Sequence, residues 1–347
     1  MADPVHPHVS APRPHRRTRV TSNDVAAEAG VSQATVTRAF TSPELVAPAT
    51  RSQVEAAAQK LGYVPNAIAR SLKSQRTHMI GAVVPAHGEY WQSVLTAFSR
   101  QLAARKHQLL LFSFADAEHV DEALAAVEQY RLDGLILASS TIGQEHLFRI
   151  RRPAPPVVAF NQPAAAGLIP LVSVDNERGA GDLAEHMADL GVRDVLYIGG
   201  VATASTDQIR YRGAAKSLGA RGIACAYLEA GAFTYDAGYE IASPFTAPED
   251  LPGAIMVGSD EVAFGVIDRL RSSGLDVPGD VLVTGFDGLP QAAWAGYDLT
   301  TLVQPVEVLV DEAINLLLDS AGAGDNPEEI VVPGTIRIGK TTRRTNG

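Results

Sequence analysis

The chain has 347 residues, 46% of them hydrophobic and 20% charged, with one cysteine and a formal net charge of −10. That length points to two or three folding units with sizeable cores, not one small domain. A single cysteine excludes an intramolecular disulfide and argues against a cysteine-ligated zinc site, and no apolar run reaches the length of a membrane span.

Charge divides unevenly along the chain. Residues 1–77 carry ten Lys and Arg against five Asp and Glu, a net of +5, which leaves −15 for the remainder. A basic head on an acidic body confines contact with a polyanion to the head. Charge alone leaves a second reading open, a solvated tail, because several cations lie in "RPHRRTR". Residues 1–19 are rich in Pro, His and Arg without an apolar period and read as a disordered extension. They have no apolar core and so do not read as a secretory signal, which makes the cytoplasm the expected compartment.

Three helices follow. In "TSNDVAAEAG" Thr21 and Asp24 have capping-box spacing, and Val25, Ala26 and Ala29 form the apolar face. Gly30 suits the turn because it adopts positive φ without a Cβ penalty. Ser32 is placed to cap a second helix, "SQATVTRAF", with Val36 and Phe40 one turn apart on its buried face. A third helix over about 49–61 is expected to bury Val54, Ala57 and Leu61 and to stop at Gly62. After "GYVPN", residues 66–72 form a short candidate helix leading into polar "KSQRTH".

From Met79 onward apolar runs such as "IGAVVP", "GLILAS", "DVLYIGG" and "VLVTGFD" alternate with amphipathic helical stretches. Near-continuous apolar strands between helices predict parallel sheets covered on both faces, and there are enough of them for two lobes that divide near "SVDNERGAG". Asn161 and Asp287 fall at strand ends, where open α/β sheets bind ligands. His87, His107 and His186 show no metal-ligand spacing and read as solvated.

Helix, glycine turn, helix is the pattern of a helix-turn-helix, whose second helix enters the DNA major groove. Burying Val36 and Phe40 leaves Gln33, Ala34, Thr37 and Arg38 outward. Arg donates two bonds to guanine, Gln pairs with adenine, and Ala touches a thymine methyl. The hydroxyls of Ser32, Thr35 and Thr37 suit phosphate contacts, which position the protein without reading bases.

The stretch "DVAAEAGVSQATVTRAF", followed by "KLGYVPNAIARSL", resembles the head of the LacI/GalR family of bacterial transcription regulators. The resemblance continues in family order through "RLDGLIL", "VSVDNERGAGDLAEHMADLGVRDVLYIGG", "VGSDEVAFGVIDRLR", "VTGFDG" and "LTTLVQP", and covers Val20 to about Gly339. It implies a helix-turn-helix head, a hinge helix, and a two-lobed α/β body of parallel sheets like that of periplasmic binding proteins. The implied divisions are a 1–19 extension, a 20–65 DNA-binding domain, a 66–77 hinge and linker, a 78–340 effector-binding and dimerisation domain, and a 341–347 tail. Lobe 1 is expected over 78–173 and 304–328, and lobe 2 over 174–303 and 329–340.

The resemblance also assigns roles. Thr21 and Tyr63 join the DNA-contacting set; Asn66, Ala69 and Leu72 belong to the hinge helix, with Leu72 as a minor-groove wedge and Ala69 at the close-packed position before it. In the body, Arg210, Asp287, Asn161 and Asp260 match polar positions of the family's effector cleft. Phe233 matches a ring that stacks on the ligand, and Tyr90 and Trp91 fill an aromatic pair. The loop before that pair, "PAHGE", departs from the family pattern, so which of the two rings faces the cleft stays open. Ala47 stands where the family commonly has a hydroxyl cap.

The expected function is a sequence-specific repressor that binds an inverted-repeat operator as a homodimer and answers to a small molecule, a sugar or sugar derivative in the family's commonest case. Purine-like ligands, or no effector, stay open. Neither cofactor, metal nor membrane is expected, and the implied location is on the nucleoid. The short polar tail "GKTTRRTNG" favours a dimer over a tetramer. No P-loop, no GxGxxG after a strand, no GxSxG and no HExxH marks the body as an enzyme.

Overall fold

The computed structural model describes residues 20–64, 76–115, 117–139, 142, 146, 155–319 and 327–343. Contacts divide the chain into two units, 1–77 and 78–347.

In the first unit, helix α1 (Ser22–Glu28) starts at Thr21, whose hydroxyl accepts from the Asp24 amide while the Asp24 carboxylate accepts from the Thr21 amide at 2.8 Å. Gly30 takes φ +62 in the turn. Helix α2 (Gln33–Thr41) starts at Ser32, which accepts from the Thr35 amide at 3.2 Å. Helix α3 (Pro48–Leu61) starts at Ala47 with no side-chain cap and ends at Gly62 in the left-handed region. Val25, Val36 and Val54 are fully buried at the centre, with Ala29, Ala39, Ala57 and Ala58 around them. Phe40 and Leu61, expected inside, sit half-buried at the margin, with Phe40 against Tyr63 at 6.1 Å. Small alanines pack around the central valines, and the larger side chains seal the edge.

The second unit contains two six-stranded sheets. Strands β1 (Met79–Pro85), β2 (Gln108–Phe114), β3 (Gly134–Leu137), β4 (Val157–Phe160) and β5 (Leu171–Val174) precede a crossing at Asp175. Strands β6 (Asp194–Gly199), β7 (Ala224–Glu229), β8 (Ala254–Val257), β9 (Leu282–Asp287) and β10 (Thr300–Val303) follow it, and the short strands β11 (Glu329–Val332) and β12 (Thr335–Arg337) end the set. The sheet orders are β11-β5-β4-β3-β1-β2 and β12-β10-β9-β8-β6-β7. All neighbours are parallel except β12, which runs antiparallel to β10 at an edge.

Helices cover both faces: α4 (Glu89–Ala104), α5 (Val120–Val127), α6 (Asn176–Asp189), α7 (Ser205–Ala220), α8 (Tyr235–Ile241), α9 (Asp260–Ser272) and α10 (Val306–Asp319). In β1, Ile80, Ala82 and Val84 pack into one apolar cluster and Val83 into another, as a doubly covered strand requires. Helices α6 and α7 meet backbone to backbone, because a Cβ on Gly213 would strike the carbonyl of Glu177.

The chain passes between the lobes three times, at Asp175, at Gln304–Pro305 and at Pro333–Gly334. The third crossing corrects an expected boundary. Residues 329–332, expected in lobe 2, belong to lobe 1: β11 pairs in parallel with β5, Glu329 opposite Leu171, so lobe 1 extends to Val332. The break falls at Pro333, which cannot donate to a ladder, and at Gly334, where a Cβ would lie 2.8 Å from Leu302. Among the described residues, no helix is long and apolar enough to cross a membrane.

Candidate functional site

A cavity of about 640 Å³ lies between the two lobes of the body. Its walls come from the carboxyl ends of the parallel strands: Pro85 at the end of β1, Phe114 at the end of β2, Asn161 after β4, Phe233 beyond β7 and Asp287 at the end of β9. That is where a doubly wound sheet leaves its loops free to meet a ligand.

The floor is a hydrogen-bond network that links both lobes through the crossing segments. Tyr90 donates to Gln304 Oε1 at 2.9 Å, and Asn161 Nδ2 donates to the Tyr90 hydroxyl and to Gln304 Oε1, each at 3.2 Å. Gln304 Nε2 donates to Asp287 Oδ1 at 2.7 Å. Asn176 Nδ2 donates to the Val174 carbonyl at 3.0 Å, and Asn176 Oδ1 accepts from Arg210 Nε at 2.8 Å. Asn161 and Asp287 hold φ of 49° and 129°, sparsely populated backbone that only a well-supported site maintains.

Arg210 is 5% exposed and surrounded. Its Nη1 donates to the Gly258 carbonyl at 2.6 Å and lies 3.5 Å from Asp287 Oδ1, while the guanidinium carbon sits 3.7 Å over the Phe286 ring. A buried cation is tolerable here because one carboxylate, two carbonyl-type acceptors and an aromatic face replace its water. Burial pushes the Asp287 carboxyl up, and this outweighs the downward pull of Arg210; the nearby Asp260 carboxylate adds to the rise.

Of the seven body residues expected in the cleft, the cavity walls contain Tyr90, Trp91, Asn161, Arg210, Phe233 and Asp287. Both rings of the aromatic pair line the cavity, and they differ in burial. Tyr90 is 9% exposed with its hydroxyl held by Gln304 and Asn161, whereas Trp91, set edge-on to it at 5.1 Å, is the more open ring. Phe233 packs against Gly200, where any Cβ would strike the ring.

Asp260 is not a wall residue. It is fully buried at the start of α9, accepting from the Leu289 amide at 2.7 Å and the Thr301 hydroxyl at 2.5 Å, so it ties β10 to the loop after β9. Burial also raises its carboxyl above the ordinary range. Gln304 and Asn176 lie outside the expected set; Gln304 directly follows β10, the signal used for Asn161, whereas Asn176 opens α6 one residue beyond the polar Asp175 that follows β5. Two histidines read as solvated prove otherwise. His186 is half-buried against Thr342 at 2.9 Å, with burial lowering its affinity for a proton, and His107 is half-buried with its ring tilted against that of His78.

In the head, Gln33, Ala34 and Arg38 are exposed on α2 and Thr37 is half-exposed. Thr37 Oγ1 donates to the Gln33 carbonyl at 3.0 Å, and Ser32 and Thr35 exchange a hydroxyl contact at 2.9 Å. Gln33 Nε2 donates to Ser22 at 3.0 Å, which braces the start of α2 against α1. Thr21 is committed to its capping box, and Tyr63 is half-buried against Phe40. Asn66, Ala69 and Leu72 lie outside the described residues.

Residues 21–66 match the family described as bacterial regulatory proteins, lacI family, and residues 184–342 match a periplasmic binding protein-like domain. The chain is 31% identical to the ribose operon repressor of Escherichia coli (strain K12) over 305 residues, 86% of this chain and 92% of that one. Its fold is similar to that of the lac repressor dimer bound to operator and the anti-inducer ONPF, with a TM-score of 0.81, 23% identity, and coverage of 94% of this chain and 99% of that one. It is also similar to the transcriptional regulator CelR in complex with cellobiose, with a TM-score of 0.68, 25% identity, and coverage of 93% and 100%.

Proposed function

The chain belongs to the lacI family of bacterial regulatory proteins and is a DNA-binding transcriptional repressor of that type; from this we propose that its body cavity takes an uncharged sugar or sugar derivative that resets the grip of a homodimer on an inverted-repeat operator. Operator binding by a pair of heads, one half-site each, follows from the helix-turn-helix geometry, because two-fold protein symmetry reads two-fold DNA symmetry. Its working place on this reading is the cytoplasm, on DNA.

The observation that carries the ligand class is the charge of the described wall residues. The walls hold one buried arginine, paired with Asp287, and two further carboxyls, Glu118 and Glu261. A phosphate or carboxylate ligand would meet a net negative wall, whereas hydroxyl groups can both donate to carboxylates and accept from the guanidinium. Trp91 and Phe233 offer flat apolar faces for the C–H side of a sugar ring. The names of the ribose operon repressor and of the CelR–cellobiose complex agree with this class. No catalytic step is required; a ligand acts here through its different affinity for two lobe arrangements.

Thermal-shift screening of the full chain against neutral sugars, their phosphates and nucleosides tests the reading. At least one neutral sugar should raise the melting temperature, and Arg210→Ala should abolish that rise. Stabilisation by sugar phosphates alone would contradict it.

A further inference from the structure

We infer that His78, His107 and Asp133 form a site for a divalent transition-metal ion of the zinc class, at the end of the first sheet opposite to the cavity. These residues stand immediately before β1, β2 and β3, three neighbouring parallel strands in the order β3-β1-β2. Register brings them together: Met79 lies opposite Gln108 and Ile80 opposite Gly134. The His78 carbonyl accepts from the Gln108 amide at 2.8 Å, and the Met79 carbonyl accepts from the Asp133 amide at 2.8 Å. The cavity is at the other end of the same strands, about 20 Å away for a seven-residue strand.

The donor atoms of the three side chains lie within 4.8 Å of one another. A tetrahedral zinc ion with bonds near 2.1 Å holds its donors about 3.4 Å apart. Small rotations of the exposed His78 ring and its half-buried neighbours supply the difference. The two imidazoles lie 5.3 Å apart and tilted by 56° instead of stacked flat.

Two further features prepare the set. His107 Nδ1 lies 2.9 Å from the Arg105 carbonyl. In the tautomer where Nδ1 donates that bond, Nε2 carries the free lone pair, the arrangement by which metal-bound histidines are oriented. The His78 amide donates to Asp133 Oδ2 at 2.8 Å, which couples the carboxylate to the same strand end. His78 itself sits at φ 54, a left-handed conformation uncommon for a residue with a side chain. Two imidazoles and one carboxylate suit zinc better than magnesium or calcium, which prefer oxygen donors.

His78 is the first residue of the body unit. A bound ion would therefore pin the chain at its point of entry to the body, clamping the starts of three strands. This role is independent of the cavity and of any sugar.

Zinc binding to the full chain, measured by equilibrium dialysis and by the visible spectrum of the cobalt-substituted protein, tests the site. His6, His8 and His15 near the start of the sequence are changed to Asn first, to remove a competing cluster. This background should retain one equivalent of zinc per chain and show a cobalt spectrum with nitrogen ligation. Adding His107→Asn or Asp133→Asn should weaken binding by roughly 10–100-fold or abolish it. His78→Asn should do the same while preserving the fold, since Asn tolerates the left-handed backbone; an unchanged metal-free melting temperature checks this. The inference is overturned if the background variant takes up no zinc, or if His78→Asn combined with His107→Asn still holds the equivalent.

Discussion

At Asp287 the charged form is disfavoured by burial and by Asp260, and only partly rescued by Arg210. A carboxyl whose folded-state pKa lies above its unfolded value binds more protons folded than unfolded, so its stabilising contribution is full in acid and is lost as pH rises through that interval. The ligand-free body should therefore lose melting temperature between the ordinary carboxylate range and neutrality, and Asp287→Asn should flatten the decline. An undiminished slope in thermal scans of the variant would assign the effect elsewhere. Removing Arg210 instead leaves two buried carboxyls without their cation, an effect of roughly 3–5 kcal/mol for a broken buried pair. Arg210→Ala should accordingly lower stability at neutral pH more than at pH 5, as denaturant titration at the two pH values can show. On the head, Arg38 projects from α2 into solvent. Arg38→Ala should cost about 1–3 kcal/mol at one base pair of each half-site and relax preference there. Equal weakening on operator and random DNA would mark Arg38 as a phosphate contact only.

Capping decides the ends of the three head helices, and one of them is incomplete. Helix α3 begins at Ala47 without a side-chain bond, whereas α1 and α2 begin at Thr21 and Ser32 with one. Ala47→Ser should stabilise α3 by about 1 kcal/mol, which amide hydrogen exchange across Pro48–Leu61 would report as slowing of about fivefold. Local signals of this kind were readable in advance: the capping box at Thr21, the turn at Gly30, the stop at Gly62 and the apolar strand runs all need only neighbouring residues. What could not be read needed distant partners. The third crossing was misplaced because "EIVV" and "TIR" are equally short and strand-like, and only pairing with β5 or β10 separates them. Asp260 resembles a cleft carboxylate in sequence, yet its acceptors are consumed by Thr301 and the Leu289 amide, 41 and 29 residues away. Gln304 and Asn176 gain their place in the cavity floor only when the crossings bring the lobes together. His78 and Asp133, 55 residues apart, meet only through strand register.

The molecule as a whole joins a basic head to an acidic body whose cavity is floored by the segments that cross between its lobes. Tyr90 and Asn161 come from one lobe and Asp287 from the other, and Gln304, at a crossing, bonds to all three. A ligand that replaces any of these bonds acts on the contact between the lobes, which is how a small site acquires leverage over a large rearrangement. Coupling of about 1–3 kcal/mol, or 5–150-fold in affinity, is the usual scale of such leverage. The direct test is the affinity of the full chain for an inverted-repeat genomic fragment, titrated at fixed salt with and without a sugar that stabilises the body. Saturating sugar should shift the dissociation constant at least fivefold in the wild type and leave that of Arg210→Ala unchanged. An identical dissociation constant with and without the bound sugar in the wild type would mean that the cavity does not control the grip on DNA.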